Sequence, residues 1–283
     1  VGSVRCVQET AIVAVGAILY PALLQEGYPE RFSLGLVTIG GGLGTLFMPA
    51  LPIILYGVIS QTNVENLFIA GLVPGVLRVV LNLFYTTYFG VKYTPRREFS
   101  WPELKKSLRE IAWELPLPFL IIGGIIGGLF SAAEAAAIAA TYVLIVELFL
   151  TRDMTLRKVG KVIRDSMKMT GAIIIILGMA LGLTDFFIDR EIPMRLFGVI
   201  SQHIQSKLTF LLLLNGFLLI VGASMDIYSA CVVIVPIIVP IAKQYGVDPV
   251  HLGIVFLANL ELGFITPPVG MSLFISSSFF CTR

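Results

Sequence analysis

The sequence predicts an all-α protein that crosses a membrane several times, and three observations predict it. Of 283 residues, 57% are hydrophobic and 13% charged, where a soluble domain carries about 25% charged residues. Apolar runs long enough to cross a bilayer, which takes about 20 residues, recur along the chain. Twelve of the 20 Lys and Arg fall in two short segments, 90–110 and 151–168, the asymmetry of a polytopic membrane protein and not of a nucleic-acid binder. These observations exclude a soluble enzyme, a disordered tail and a disulfide scaffold. Cys6, Cys231 and Cys281 are scattered, and His203 and His251 stand too far apart to make a metal cluster. The chain starts at Val1-Gly2-Ser3 without Met and stops after an apolar run; it reads as an internal piece of a longer protein.

In order along the chain, spans are predicted at 67–90, 115–130, 132–150, 170–188 and 208–222, with interrupted apolar stretches at 8–25, 33–60, 227–243 and 251–280. The two basic segments bracket 115–150 and read as cytoplasmic. The intervening stretch then crosses an even number of times, as two short helices meeting near Gly127-Gly128. Residues 103–113 set Leu104, Leu108 and Ile111 against Lys105, Lys106 and Arg109 between Trp101 and Trp113, the pattern of a helix lying at the bilayer interface; an ordinary connector helix is the alternative. The segment 184–195 has no basic bias and suits the opposite side.

An internal repeat is the most informative feature. At one offset of 219, Tyr20-Pro21 aligns with Val239-Pro240, Gly27 with Gly246, Leu43-Gly44 with Leu262-Gly263, and Pro49 with Pro268; Val1-Gly2-Ser3 faces Val221-Gly222-Ala223 at 220. Each copy reads as an apolar helix ending in Pro, a short turn with Gly and Pro, and a second helix interrupted by Gly and Pro. Proline removes a backbone donor, glycine eases departure from the helix, and the freed groups are tolerated at membrane depth only inside protein or against a polar cavity. Matched broken helices in two halves point to a secondary transporter, whose half-helix ends bind ions and substrate. Simple proline kinks are the competing reading.

Carboxylates inside apolar runs invite functional readings. Asp226 fits two roles, an oxygen ligand for Na⁺ or the cap of the following helix. Glu134 begins an Ala-rich helix and suits its N-terminal dipole. Glu261 fits a cation contact or a pair with a nearby Arg or Lys. Arg78 fits snorkelling toward the interface, the favoured reading, or a pair with a carboxylate; His251 fits closing a turn, ahead of relaying protons. No nucleophile elbow, phosphate loop or catalytic dyad is present in the sequence.

The chain resembles the large membrane subunit, DctM-like, of tripartite ATP-independent periplasmic (TRAP) transporters. The residues that carry the resemblance are Gly2-Ser3, the run from Gly41 to Gly57, Glu134-Ala135-Ala136-Ala137, Gly222 with Met225-Asp226, Asp248-Pro249 with His251 and Gly253, and Gly263 with Ile265-Thr266-Pro267-Pro268-Val269-Gly270. The sequence departs from the family pattern at Met48-Pro49-Ala50 and Ser131-Ala132-Ala133, where hydroxyls are lost. The resemblance implies inverted repeats, re-entrant hairpins and an elevator-type, Na⁺-coupled importer in the bacterial inner membrane. It implies an organic-acid substrate such as a carboxylate or sialic acid, a four-span DctQ-like small subunit and a periplasmic substrate-binding protein as partners, Na⁺ as coupling ion and no organic cofactor. Nucleic acid is not a partner; the lipid bilayer is. Carried onto this chain, the Na⁺ sites fall at Gly2, Ser3, Gly41, Gly44, Thr45, Gly222, Asp226, Gly263 and Thr266. Substrate contacts fall at Ser3, Pro49, Ala223, Pro267 and Pro268.

Four segments follow from this reading. Residues 1–66 hold the first-repeat hairpin tip and broken helix; 67–114 a scaffold span and an interfacial or cytoplasmic arm. Residues 115–206 hold a helical hairpin and scaffold spans with a basic cytoplasmic loop; 207–283 the second-repeat hairpin and broken helix. A one-component Na⁺/dicarboxylate symporter of similar architecture and a non-transporting membrane scaffold are the rival readings.

Overall fold

The computed structural model describes residues 7–47, 50–93, 100–110, 112–113, 115–151 and 154–266, and within them regular structure is helical throughout. Twelve α-helices follow in order: α1 (Val7–Gln25), α2 (Glu30–Gly42), α3 (Leu51–Ser60), α4 (Val64–Tyr93), α5 (Trp101–Glu110), α6 (Pro116–Ile126), α7 (Ala132–Ile145), α8 (Leu156–Asp189), α9 (Ile192–His203), α10 (Lys207–Ser224), α11 (Ile227–Gln244) and α12 (Pro249–Gly263). Among the described residues five helical stretches are long and apolar enough to cross a membrane, within α4, α7 with its π-turn extension, α8, α10 and α11. A sixth is obtained if α2 and α3, bent by 43° across their break, count as one. Side chains such as Val73, Phe84, Ile174, Met179, Leu208 and Ile220 are exposed, as a lipid-facing surface requires. The protein is an all-α, multi-pass membrane protein.

The chain divides into two compact units, Val1–Pro95 with Ile176–Arg283, and Arg96–Ile175. In the second unit α6 and α7 form a tight hairpin. Its α6 is 11 residues, about 16 Å, too short to cross a hydrocarbon layer of about 30 Å. Gly128 turns the chain with φ +67°. Ser131 then caps α7: Glu134 N–H donates to Ser131 Oγ at 3.3 Å, and Ser131 N–H donates to Glu134 Oε2 at 2.8 Å. Glu134 stands in the first turn of α7, where a dipole role places it, and adds a reciprocal capping box with Ser131. α5 is the amphipathic helix anticipated near 103–113, beginning two residues earlier.

Three expectations are corrected. The basic segment read as a loop is the N-terminal part of α8, one helix of 34 residues or about 51 Å. Its charges interrupt the hydropathy but not the helix, since Lys and Arg are good helix formers. The stretch 227–243, expected to be interrupted, is the unbroken α11, and Pro236 and Pro240 sit inside it. Likewise Pro21 lies inside α1 and does not end it. Each proline deletes one hydrogen bond, and the turn that follows supplies the actual stop.

In the first unit the repeat is visible atom by atom at that stop. Gly27 N–H donates to Leu24 O at 3.1 Å and Tyr28 N–H to Leu23 O at 3.1 Å. At the same offset, Gly246 N–H donates to Lys243 O at 3.0 Å and Val247 N–H to Ala242 O at 2.9 Å. Both glycines are left-handed, φ +85° and +67°. This is the Schellman closure, which satisfies helix-end carbonyls and needs a residue at ease with positive φ. The following helices then start at equivalent residues, Glu30 and Pro249.

The core of this unit gathers around α3, α4 and α12. Tyr56 and Phe256 are fully buried with ring centroids 5.9 Å apart, and Tyr56 OH donates to Pro249 O at 2.8 Å. Gly253 leaves room for the Tyr56 ring; a Cβ there would lie 2.5 Å from its Cε1. Across α10 and α12, Asn259 Nδ2 donates to Asn215 Oδ1 and to Val255 O, a polar bridge of the kind that joins helices in lipid.

Candidate functional site

The first break follows α2. The helix tightens into a 3-10 turn over Leu43–Leu46, and Phe47 is extended at φ −99°, ψ 152°. Ala50 is extended too, and α3 restarts at Leu51 with Pro52 in its first turn and no side-chain cap. Thr45 Oγ1 donates to Gly42 O at 2.9 Å. α4 seats this break: a Cβ on Gly71 would lie 2.8 Å from Leu46 O, and one on Gly75 would lie 3.0 Å from the Phe47 ring.

The second break follows α12. Phe264 N–H donates to Leu260 O, Thr266 N–H to Gly263 O at 2.9 Å, and Thr266 Oγ1 to Leu262 O at 2.8 Å. Here the close partner is the end of α10. A Cβ on Gly263 would lie 2.6 Å from Gly222 Cα and 2.9 Å from Ala223 N, and one on Gly222 would lie 2.9 Å from Leu260 O. Two backbones therefore touch where both residues lack a side chain. The chain then passes through extended Met225 to Asp226, whose Oδ2 accepts from Tyr228 N–H and Ser229 N–H at 3.0 Å each; its Oδ1 accepts from Ser229 Oγ at 2.5 Å. Of the two roles open to Asp226, the cap of α11 is the one seen. In Thr266 the hydroxyl proton is committed to a helix carbonyl. What the oxygen still offers is lone pairs, which suit a cation and not an anion.

Between the breaks lies a charge pair. Arg78 Nη1 forms an ion pair with Glu261 Oε2; the Glu261 side chain is 0% exposed and that of Arg78 19%. Thr45 stands beside the same carboxylate. The guanidinium is the charge compensation of this buried carboxylate. Of the two readings of Arg78, the favoured snorkelling is corrected and the pair with a carboxylate is the one seen. Arg78 is the fifteenth residue of the 30-residue α4, about 21 Å from either end of the helix. Of the two readings of Glu261, pairing with an arginine is the one realised. Both residues line a cavity of about 470 Å³, together with Asn82, Thr266, Leu46 and Ile265 among others.

The family model of the tripartite ATP-independent periplasmic transporter DctM component matches residues 2–281. The chain belongs to that family. It is 37% identical over 269 residues to the C4-dicarboxylate TRAP transporter large permease protein DctM of Pseudomonas aeruginosa, covering 94% of this chain and 63% of that protein. It is 33% identical to the isethionate TRAP transporter permease protein DctMQ of Oleidesulfovibrio alaskensis, over 94% of this chain and 42% of the relative. Against the sialic acid TRAP transporter permease protein SiaT of Haemophilus influenzae it is 31% identical, over 92% and 43%. The chain thus spans between 42% and 63% of the length of these three relatives.

Within this DctM-family chain the residues expected at the site separate into three groups. Gly222, Ala223 and Gly263 meet at the α10–α12 contact, with Thr266 just beyond it on one chain segment and Asp226 on the other. Gly41, Gly44 and Thr45 lie at the first break, in α2 and its 3-10 extension. Gly2, Ser3, Pro49, Pro267 and Pro268 fall outside the described residues. His251 N–H donates to Asp248 Oδ1 at 3.2 Å, so its part in the turn is played by its backbone. Sequence reasoning missed the seat on α4, although Gly71, Gly75 and Arg78 follow an i, i+4, i+7 spacing that marks one helix face.

Proposed function

We propose that this chain is the large membrane subunit of a Na⁺-coupled importer of small organic acids, with one Na⁺ site at each helix break. In this reading peptide carbonyls at the breaks, helped by Ser3, Thr45, Asp226 and Thr266, hold the ions. Substrate carboxylate then meets half-helix N-termini that favour negative charge. The observation that carries the reading is the duplication itself: one turn, copied hydrogen bond for hydrogen bond, leads in each copy to a helix that ends at a glycine-bearing break. Chain breaks at membrane depth are costly in lipid, and two matched ones make sense where their polar groups are used. Relatives named for C4-dicarboxylates, isethionate and sialic acid support a small organic anion as substrate. The DctMQ name of one relative supports a small DctQ-like partner. A periplasmic binding protein as donor and the bacterial inner membrane as location belong to the same reading, as do inverted repeats moving as an elevator.

The test is uptake of radiolabelled succinate or sialic acid into proteoliposomes. They would contain the full-length protein, a DctQ-like small subunit and a periplasmic substrate-binding protein from the same organism. An inward Na⁺ gradient should drive uptake, and Asp226→Ala or Thr266→Ala should raise the half-saturating Na⁺ about tenfold, the effect of losing about 1.4 kcal/mol. Arg96→Ala should leave it unchanged. Uptake indifferent to Na⁺ would overturn the proposal, and uptake without the binding protein would favour the one-component symporter.

A further inference from the structure

The Arg78–Glu261 pair has no part in ion or substrate contact as described above, yet it stands where three elements meet. Glu261 is two residues before Gly263 on α12, at the second break. Thr45, in the 3-10 turn of the first break, stands beside its carboxylate. Arg78 projects from α4, on the helix face whose Gly71 and Gly75 receive Leu46 and Phe47 of that first break. A shift of either break therefore disturbs the same pair. At the position equivalent to Glu261 the first copy has Gly42, so the carboxylate belongs to the second copy alone and its pair joins that copy to α4, which seats the first break.

A buried ion pair is weak evidence of stability, because an apolar pair of equal volume holds helices together as well or better. What the pair adds is geometry: the buried Glu261 carboxylate is held between the Arg78 guanidinium of α4 and Thr45 of the first break, so its position follows both. We infer that Arg78 and Glu261 are positioning residues that hold the two helix breaks in one register, so that occupation of one Na⁺ site favours occupation of the other. The inference rests on the proposed Na⁺ sites. It adds the residues that make them cooperative.

The experiment compares Na⁺ activation of uptake, in full-length protein with its partners, for the wild type, Glu261→Gln, Arg78→Met and the exchanged pair Arg78→Glu with Glu261→Arg. Wild type should show a Hill coefficient of about two and each single variant about one, with half-saturating Na⁺ raised about tenfold, within the usual range of coupling between sites. The exchanged pair should regain a slope above one. A pair that only stabilised the fold would lower the amount of active protein and leave the slope at two, and that result overturns the inference. So does a pair acting only as charge through space, for which Arg78→Met would lower half-saturating Na⁺ and Glu261→Gln would raise it at an unchanged slope. A wild type with a slope of one overturns the inference and leaves the transport reading standing, whereas a wild type indifferent to Na⁺ removes both. If Arg78→Met does not assemble, Glu261→Gln and the exchanged pair decide. Na⁺-dependent thermal stabilisation of the purified protein then provides the same slope.

Discussion

The α1–α2 and α11–α12 pairs carry the same turn in different surroundings. Both helices before the turn close on a left-handed glycine, with the same two hydrogen bonds at the same offset. Beyond the turn they diverge. In α2 only Ser33, Val37, Thr38 and Gly42 are buried, whereas α12 buries Leu252, Gly253, Phe256, Leu257, Asn259, Leu260, Glu261 and Gly263. The difference lies in what reaches each helix. α12 receives the Tyr56 ring at Gly253, Asn215 of α10 at Asn259, and the α10 backbone at Gly263. A turn needs a few local residues and survives duplication intact; burial depends on distant partners and does not.

The largest contrast should come from two glycines that are repeat equivalents, Gly44 and Gly263. A Cβ at Gly263 would meet the Gly222 backbone at 2.6 Å, while at Gly44 nothing lies within 4 Å. Backbone cannot move aside as a flexible side chain can, so Gly263→Ala should cost about 1–3 kcal/mol or more, as overpacking does. Gly44→Ala should be neutral, or stabilising by about 0.4–1 kcal/mol through the unfolded chain. Thermal melts of the purified full-length protein would measure both. Equal effects at the two positions would mean that the α10–α12 contact is not tight.

The turn glycines make the opposite prediction. Gly27→Ala and Gly246→Ala each place a side chain in the left-handed region, at a cost of about 1–2 kcal/mol. Because the hydrogen bonds agree to within 0.2 Å, at 3.1 and 3.1 Å against 3.0 and 2.9 Å, the two losses should match. A Gly27→Ala protein as stable as wild type, beside a weakened Gly246→Ala, would break the structural equivalence of the copies.

What was legible in the sequence was local. The glycine turns, the hairpin at Gly127-Gly128 and the helix-start role of Glu134 all rest on residues within about four positions of one another, where spacing and residue type carry the physics; the repeat was legible because such a local pattern recurs at one offset. The start of α8 was not legible from hydropathy, since Lys158, Lys161 and Arg164 lower the apolar signal without lowering helix propensity. Arg78 and Glu261 are 183 positions apart (261 − 78). Each is readable as a member of an ion pair, but nothing in either neighbourhood specifies the other. The tight approach of Gly222 and Gly263 was half legible. Both were singled out as break residues, but close backbone packing is a relation between two segments, and neither sequence states it alone.

The smallest effect sharpens the comparison most. α11 and α12 begin with the same kind of cap, in which a carboxylate accepts two backbone N–H groups: Asp226 from Tyr228 and Ser229, Asp248 from Val250 and His251. At the repeat equivalent of Asp248, α2 starts after Pro29 with no side-chain cap, so the cap itself is not part of the duplicated design. As caps alone, Asp226→Ala and Asp248→Ala should each cost about 1 kcal/mol. If Asp226 also faces an ion, its loss should depend on salt identity. In Na⁺ the Asp226→Ala protein should melt further below wild type than it does in K⁺ at equal ionic strength. Asp248→Ala should show the same deficit in both. Matching deficits for the two variants in both salts would reduce Asp226 to a cap and move the second Na⁺ site onto the carbonyls and Thr266.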